Sequence, residues 1–89
     1  MAKILLAKSQ ESGEIWVWEL KEVGQRVIDN IEFLEGRILD VEEGDDVFLR
    51  HLWDFSSCNL VKRIFYVLYH LGHEVTKEDL EKLIKDKEV

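Results

Sequence analysis

Lys3-Ile4-Leu5-Leu6-Ala7-Lys8, followed after a polar gap by Glu14-Ile15-Trp16-Val17-Trp18-Glu19-Leu20, is the stretch that decides the fold. Ile15, Trp16, Val17 and Trp18 are β-branched or aromatic, the side chains that fit a pleated surface. Ser9-Gln10-Glu11-Ser12-Gly13 is polar and supplies a glycine for a left-handed turn position. The two runs therefore read as a hairpin of residues 3–8 and 14–20. Alternation puts Ile15 and Val17 on one face and Trp16 and Trp18 on the other. Both faces are apolar, so one tryptophan row needs cover from helices or from a second chain. The competing reading is a helix through residues 14–35, which would remove the sheet.

C-terminal to the hairpin, Leu20, Val23, Val27, Ile31 and Leu34 recur at helical spacing and predict a helix over 20–35. Gly24 falls beside that stripe, where a close backbone approach would account for it, and Gly36 suits the position just past the helix end. Ile38, Leu39 and Val41 fit either a short third strand or an extra helical turn. Gly44 marks a turn, and Asp45 suits the N-cap of a helix over 46–55, with Asp46 at the positive end of its dipole. On that helix Phe48, Leu52 and Phe55 share a face that Leu49 and Trp53 extend. Ser56-Ser57 offers caps for a helix over 58–71. There Leu60, Val61, Ile64, Phe65, Val67, Leu68 and Leu71 cover an arc of roughly 160°, wider than a surface stripe of ~100°, which marks a central core helix. Gly72 ends it. Thr76 and Asp79 form a capping box for a last helix over 77–87, with Val75 and Leu80 placed as a staple and Leu80, Leu83 and Ile84 toward the core. The short link 72–75 predicts that the last two helices pack as neighbours.

The expected architecture is α+β: an N-terminal hairpin, with or without a short third strand, on three to four helices in one domain over 1–89. The expected core contains Leu5, Ile15, Val27, Ile31, Phe48, Leu52, Leu60, Ile64, Leu68 and Leu80. Of the 89 residues 46% are hydrophobic, too many for a disordered chain. No apolar run approaches the ~20 residues of a membrane span, and the first eight residues lack the apolar length of a signal peptide. The single cysteine, Cys58, agrees with a reducing compartment, and the expected location is cytoplasmic. The absence of proline and scarcity of Asn and Gln beside abundant Glu and Lys lean toward a heat-tolerant source.

The net charge of −7 is concentrated rather than spread. Residues 29–46 hold eight acids (Asp29, Glu32, Glu35, Asp40, Glu42, Glu43, Asp45, Asp46) and one base, Arg37, which accounts for all of it. The patch Asp40, Glu42, Glu43, Asp45 and Asp46 would suit a basic partner, a cation, or the chain's own Lys62 and Arg63. It does not match a calcium loop: counted from Asp40, Gly44 takes position five and His51 position twelve, where oxygen ligands belong.

Other chemistry is thin. His51, Cys58, His70 and His73 reach the number of a structural zinc site, but a helix over 58–71 holds Cys58 and His70 about 18 Å apart. No phosphate loop, nucleophile elbow or plausible Cys–His pair occurs, so no catalytic, cofactor-binding or metal-binding residue is assigned. Lys62, Arg63, Tyr66 and His70 form a basic, aromatic stripe of the kind that contacts phosphates and stacks bases. Residues 71–80 resemble the turn of a helix-turn-helix, yet Glu78 and Asp79 would meet DNA unfavourably. Trp16, Trp18, Phe33, Trp53 and Tyr66 are too many large aromatics for one small core. Trp16, Trp18, Trp53 and Tyr66 are therefore the expected interaction residues. The expected function is a non-enzymatic protein-interaction module, self-associating or part of a larger assembly. A nucleic-acid-binding regulator and an acidic, antitoxin-like inhibitor of a basic protein are the rival readings.

Overall fold

A computed structural model describes residues 2–55 and 57–87, with side chains to residue 85. The hairpin forms: β1 (Ala2–Ser9) pairs antiparallel with β2 (Ile15–Glu19). Its turn closes through Ser9 and Glu14, and Gly13 takes the left-handed φ of 73° that favours glycine. A third strand, β3 (Leu34–Val41), runs antiparallel along the other side of β1 over its whole length, and the two-residue β4 (His73–Glu74) pairs with β3. The sheet order is β2-β1-β3-β4. The fold is thus α+β, with β1 in the interior of a four-stranded antiparallel sheet.

Ile4, Leu5, Leu6 and Ala7 are all fully buried. Side chains alternate along a strand, so full burial of four in a row requires cover on both faces of the sheet. Leu5 and Ala7 join Ile38, Leu20, Val23, Ile28, Ile31 and Leu80 on one face. That face is covered by α1 (Gln25–Asn30) and α4 (Lys77–Lys87). Ile4 and Leu6 join Ile15, Val17, Phe65 and Tyr69 on the other. That face is covered by α2 (Asp45–Phe55) and α3 (Asn59–Leu71). The tryptophan row of β2 lies on the α1/α4 face, where Trp18 packs half-buried against the core.

Several expectations change here. The stripe from Leu20 to Leu34 does reach one core cluster, but on a broken backbone. Leu20–Glu22 is a 3₁₀ turn, Gly24 is extended (φ −101°, ψ 177°) before α1, and Leu34 already belongs to β3. Pairing with β1 takes residues 34–36 into the sheet and overrides their helical spacing. Gly24 has open space around it; the close approach falls at Gly36, where a Cβ would come within 2.8 Å of Ile31 Cδ1. Gly36 is therefore a strand residue under α1 rather than a helix terminator. Asp45 begins α2 instead of capping it, since the Phe48 N–H already bonds the Gly44 carbonyl. Cys58 holds the N-cap position of α3, leaving Ser57 one residue outside, and Ser56 lies outside the described residues.

The largest correction concerns the last two helices. They do not pack as neighbours: β4 carries the chain around the sheet edge, so α3 and α4 cover opposite faces. A helix-turn-helix pair is not formed. Nor is α3 a central helix. Phe65 and Tyr69 are buried and Val61 and Leu68 half-buried, whereas Leu60 and Ile64 are exposed, as is Phe48 on α2. The expected capping box of α4 is present, with the Asp79 N–H donating to Thr76 Oγ1 (3.2 Å) and the Thr76 N–H to Asp79 Oδ2 (3.3 Å).

Polar contacts finish the sheet. Lys3 and Asp40, opposite each other in register, pair at 2.8 Å. Glu19 is buried beside the Lys21 ammonium at 3.0 Å, and the hydrogen bond and charge of Glu19 hold Lys21 above the ordinary lysine range. Arg50 of α2 donates to the Val17 carbonyl on β2 and reaches Asp54 and Glu22.

Double-sided burial makes a direct prediction. Leu5→Ala and Leu6→Ala, adjacent in sequence and on opposite faces, should each cost about 2–5 kcal/mol in urea denaturation. A sheet with one wet face would lose stability in only one of the two.

Candidate functional site

The outer surface of α2 and α3 follows from two apolar seams on α3. Val61, Phe65, Leu68 and Tyr69 point at the sheet, and Trp53 of α2 meets Phe65 edge-on at 5.1 Å between ring centroids. About a third of a turn away, Leu60, Ile64, Val67 and Leu71 recur at spacings of four, three and four residues. That second seam faces solvent, with Leu60 64% and Leu71 66% exposed. Phe48 and Phe55 of α2 are 62% and 87% exposed, and Phe55 stacks on His51 at 6.3 Å. The wide arc of α3 is two stripes with different destinations: one fills the core, the other covers nothing within the described residues.

Trp53, expected at an interface, is half-buried in the core against Phe65, so it leaves the interaction set. Trp18 is half-buried, while Trp16 and Tyr66 remain partly exposed. Sequence reasoning missed Phe48, Phe55, Leu60, Ile64, Val67 and Leu71 as surface residues because their apolarity reads as core. The second seam's coiled-coil spacing was the available signal.

Lys62, Arg63, Tyr66 and His70 do share the exposed flank of α3, where Tyr66 and His70 meet edge-on at 4.8 Å. The structure adds Lys8 of β1, whose ammonium lies 5.5 Å from the Tyr66 ring centre. Tyr69, at the edge of this stripe by sequence, is buried beneath it. Its hydroxyl donates to Glu35 Oε2 (3.2 Å), and the Arg37 guanidinium sits 4.9 Å from its ring centre. Arg37 also donates to the Gly72 carbonyl and to Glu74, tying β3 to the end of α3 and to β4. The one base of the acidic segment is therefore a structural clamp.

The acidic segment does not gather on Lys62 and Arg63; among the described residues no ion pair links them. Asp40 pairs with Lys3, Asp29 lies 3.6 Å from Lys77, and Asp45 and Asp46 occupy the first turn of α2. Glu42 and Glu43 are exposed in the turn before it. Among the described residues, no three His, Cys, Asp or Glu side chains come together as a metal site, and no helix is long and apolar enough to cross a membrane.

No family model, no curated protein and no solved structure matches the chain.

Tyr69 offers a pH test of this region. Burial pushes its hydroxyl above the ordinary value near 10.0, hydrogen bonding and charge from Glu35 add to the rise, and Arg37 opposes it. A folded-state value above the unfolded one means the native state holds the proton more tightly. The contribution to stability is present in full below about pH 10 and is lost as pH rises through the native value. Urea midpoints should therefore fall more steeply above about pH 10 for the native chain than for Tyr69→Phe.

Proposed function

We propose that this chain is a protein-interaction module that self-associates, two copies packing the outer faces of α2 and α3 against each other. The supporting observation is the solvent-facing seam Leu60-Ile64-Val67-Leu71 together with Phe48 and Phe55. All six are large apolar side chains left 42–87% exposed, the kind of surface from which a standard interface takes about 800 Å² per partner. Monomers rarely leave contiguous apolar patches beyond about 300–600 Å² in water.

A second copy suits this surface because the seam is self-complementary. When two α3 helices cross antiparallel about a twofold axis, Leu60 of one copy meets Leu71 of the other, and Ile64 meets Val67. Such isologous packing is the commonest route to a homodimer. Knobs at spacings of four and three residues fit the holes of an identical helix. No like-charged residue lies within the seam itself; Arg63 and His70 sit on its flank.

The rival nucleic-acid reading gains one observation, a third cation, Lys8, over the Tyr66 ring of the helix that carries Lys62 and Arg63. Three cations in a chain of charge −7 support only weak phosphate binding. Lys62→Ala/Arg63→Ala would remove any salt-dependent DNA binding and leave self-association intact.

Sedimentation equilibrium from low micromolar concentration upward should give a dimer for the native chain. Ile64→Glu/Val67→Glu should sediment as a monomer, with at least about a hundredfold weaker association and an unchanged circular dichroism spectrum. Both side chains already face solvent, so the change spares the core. A native chain that stays monomeric at about 0.5 mM overturns the proposal.

A further inference from the structure

On the opposite face of the sheet, the uncovered end of the tryptophan row forms a groove of about 420 Å³ between β2 and α1. Trp16 and Trp18, two residues apart on one strand, project side by side with ring centroids 6.1 Å apart and planes 23° from parallel. Phe33, in the turn between α1 and β3, contributes a third aromatic ring and is 69% exposed; Trp16 is 49% exposed. Leu34 and Val27 continue the apolar wall. The polar groups are few. Asn30 donates its amide to the Arg26 carbonyl at 2.7 Å, which leaves its side-chain oxygen as an acceptor. Among the described residues Arg26 is the one ionisable side chain lining the groove.

Two features define a ligand. A nearly parallel pair of indoles with Trp16 half exposed, beside the exposed Phe33 ring, favours a flat π-system, since stacking is worth about 1–3 kcal/mol per ring and tolerates many ring chemistries. A lone guanidinium at an aromatic wall selects an anion, because its planar fork matches carboxylate and phosphate oxygens. The charge balance sharpens the point. The chain carries −7, which repels anions in general, yet among the described residues no carboxylate lines this groove. The volume lies in the range of small-molecule pockets, about 300–1,000 Å³.

We infer that the groove between β2 and α1 binds a planar aromatic ring bearing an anionic group, the ring lying on Trp16 and Phe33 and the anion on Arg26. The site is independent of the proposed self-association, which uses the α2/α3 face, so a dimer or a monomer can carry it.

The test is a titration of the ¹⁵N-labelled chain followed by the tryptophan indole N–H signals, assigned with single Trp→Phe variants. AMP and indole-3-acetate represent the two sources of such a ligand, a nucleotide and an aromatic carboxylate. Saturable shifts of the Trp16 and Trp18 signals with either probe, and none of Trp53, support the site, and the tighter probe identifies the source. Adenosine alone and inorganic phosphate alone should each bind at least about tenfold more weakly than AMP. Arg26→Gln, an exposed substitution, should reduce AMP affinity to that of adenosine, and Trp16→Ala should remove both. No saturable shift with either probe up to about 10 mM overturns the inference, as does an unchanged affinity in Arg26→Gln.

Discussion

The complete burial of four consecutive residues, Ile4 to Ala7, is the constraint on which the rest of the structure depends. An interior antiparallel strand that is apolar on both faces cannot leave either face to water. Each side chain so buried stabilises the fold by about 1.5–3 kcal/mol, Ala7 by less, and only if something lies over it. The chain answers with two pairs of helices, α1 with α4 on one face and α2 with α3 on the other. In 89 residues this leaves thin layers. The short α1 covers its face only in part, and α3 sits on the sheet with half its apolar surface turned outward.

The hairpin was legible because strand alternation and turn chemistry agree at Ile15-Trp16-Val17-Trp18 and at Gly13. The α4 cap was legible because Thr76 and Asp79 act within one turn. Residues 20–36 were not, because their apolar period satisfies two backbones. Leu20, Val23, Ile28 and Ile31 reach the same cluster from a broken chain as they would from one helix, and only pairing with β1 selects the strand at Leu34. Leu60 and Ile64 were misplaced for a different reason. Hydrophobicity states that a side chain avoids water, not whether its own domain or another molecule removes the water. The Gly72 link misled in the same way, since a short connection fixes distance but not which side of a sheet the chain continues on.

The two candidate surfaces illustrate how a sheet with cover on both faces can separate tasks. The α2/α3 side exposes a long aliphatic and aromatic seam with little polar patterning, suited to broad contact. The α1 side exposes a small aromatic recess with one cation, suited to discrimination by shape and charge. Between them runs the strip of Arg37, Tyr69 and Glu35, a hydrogen-bonded and cation–π seal that fixes β3 against the end of α3. The acidic segment contributes mainly by internal pairing and by the first turn of α2, so its charge is partly structural.

The Arg50 contact with the Val17 carbonyl bears on how copies of this chain can meet. A guanidinium anchored by Asp54 and Glu22 occupies an acceptor on the outermost strand, and at the far edge β4 is only two residues long. Among the described residues, the occupied acceptor on β2 and the β4 pairing at Arg37 and Ile38 shorten the runs of open backbone on which a further strand could template. Association is therefore steered away from open-ended ribbons that lengthen by one chain at a time. The twofold helix contact proposed above would instead be exhausted once two molecules have met.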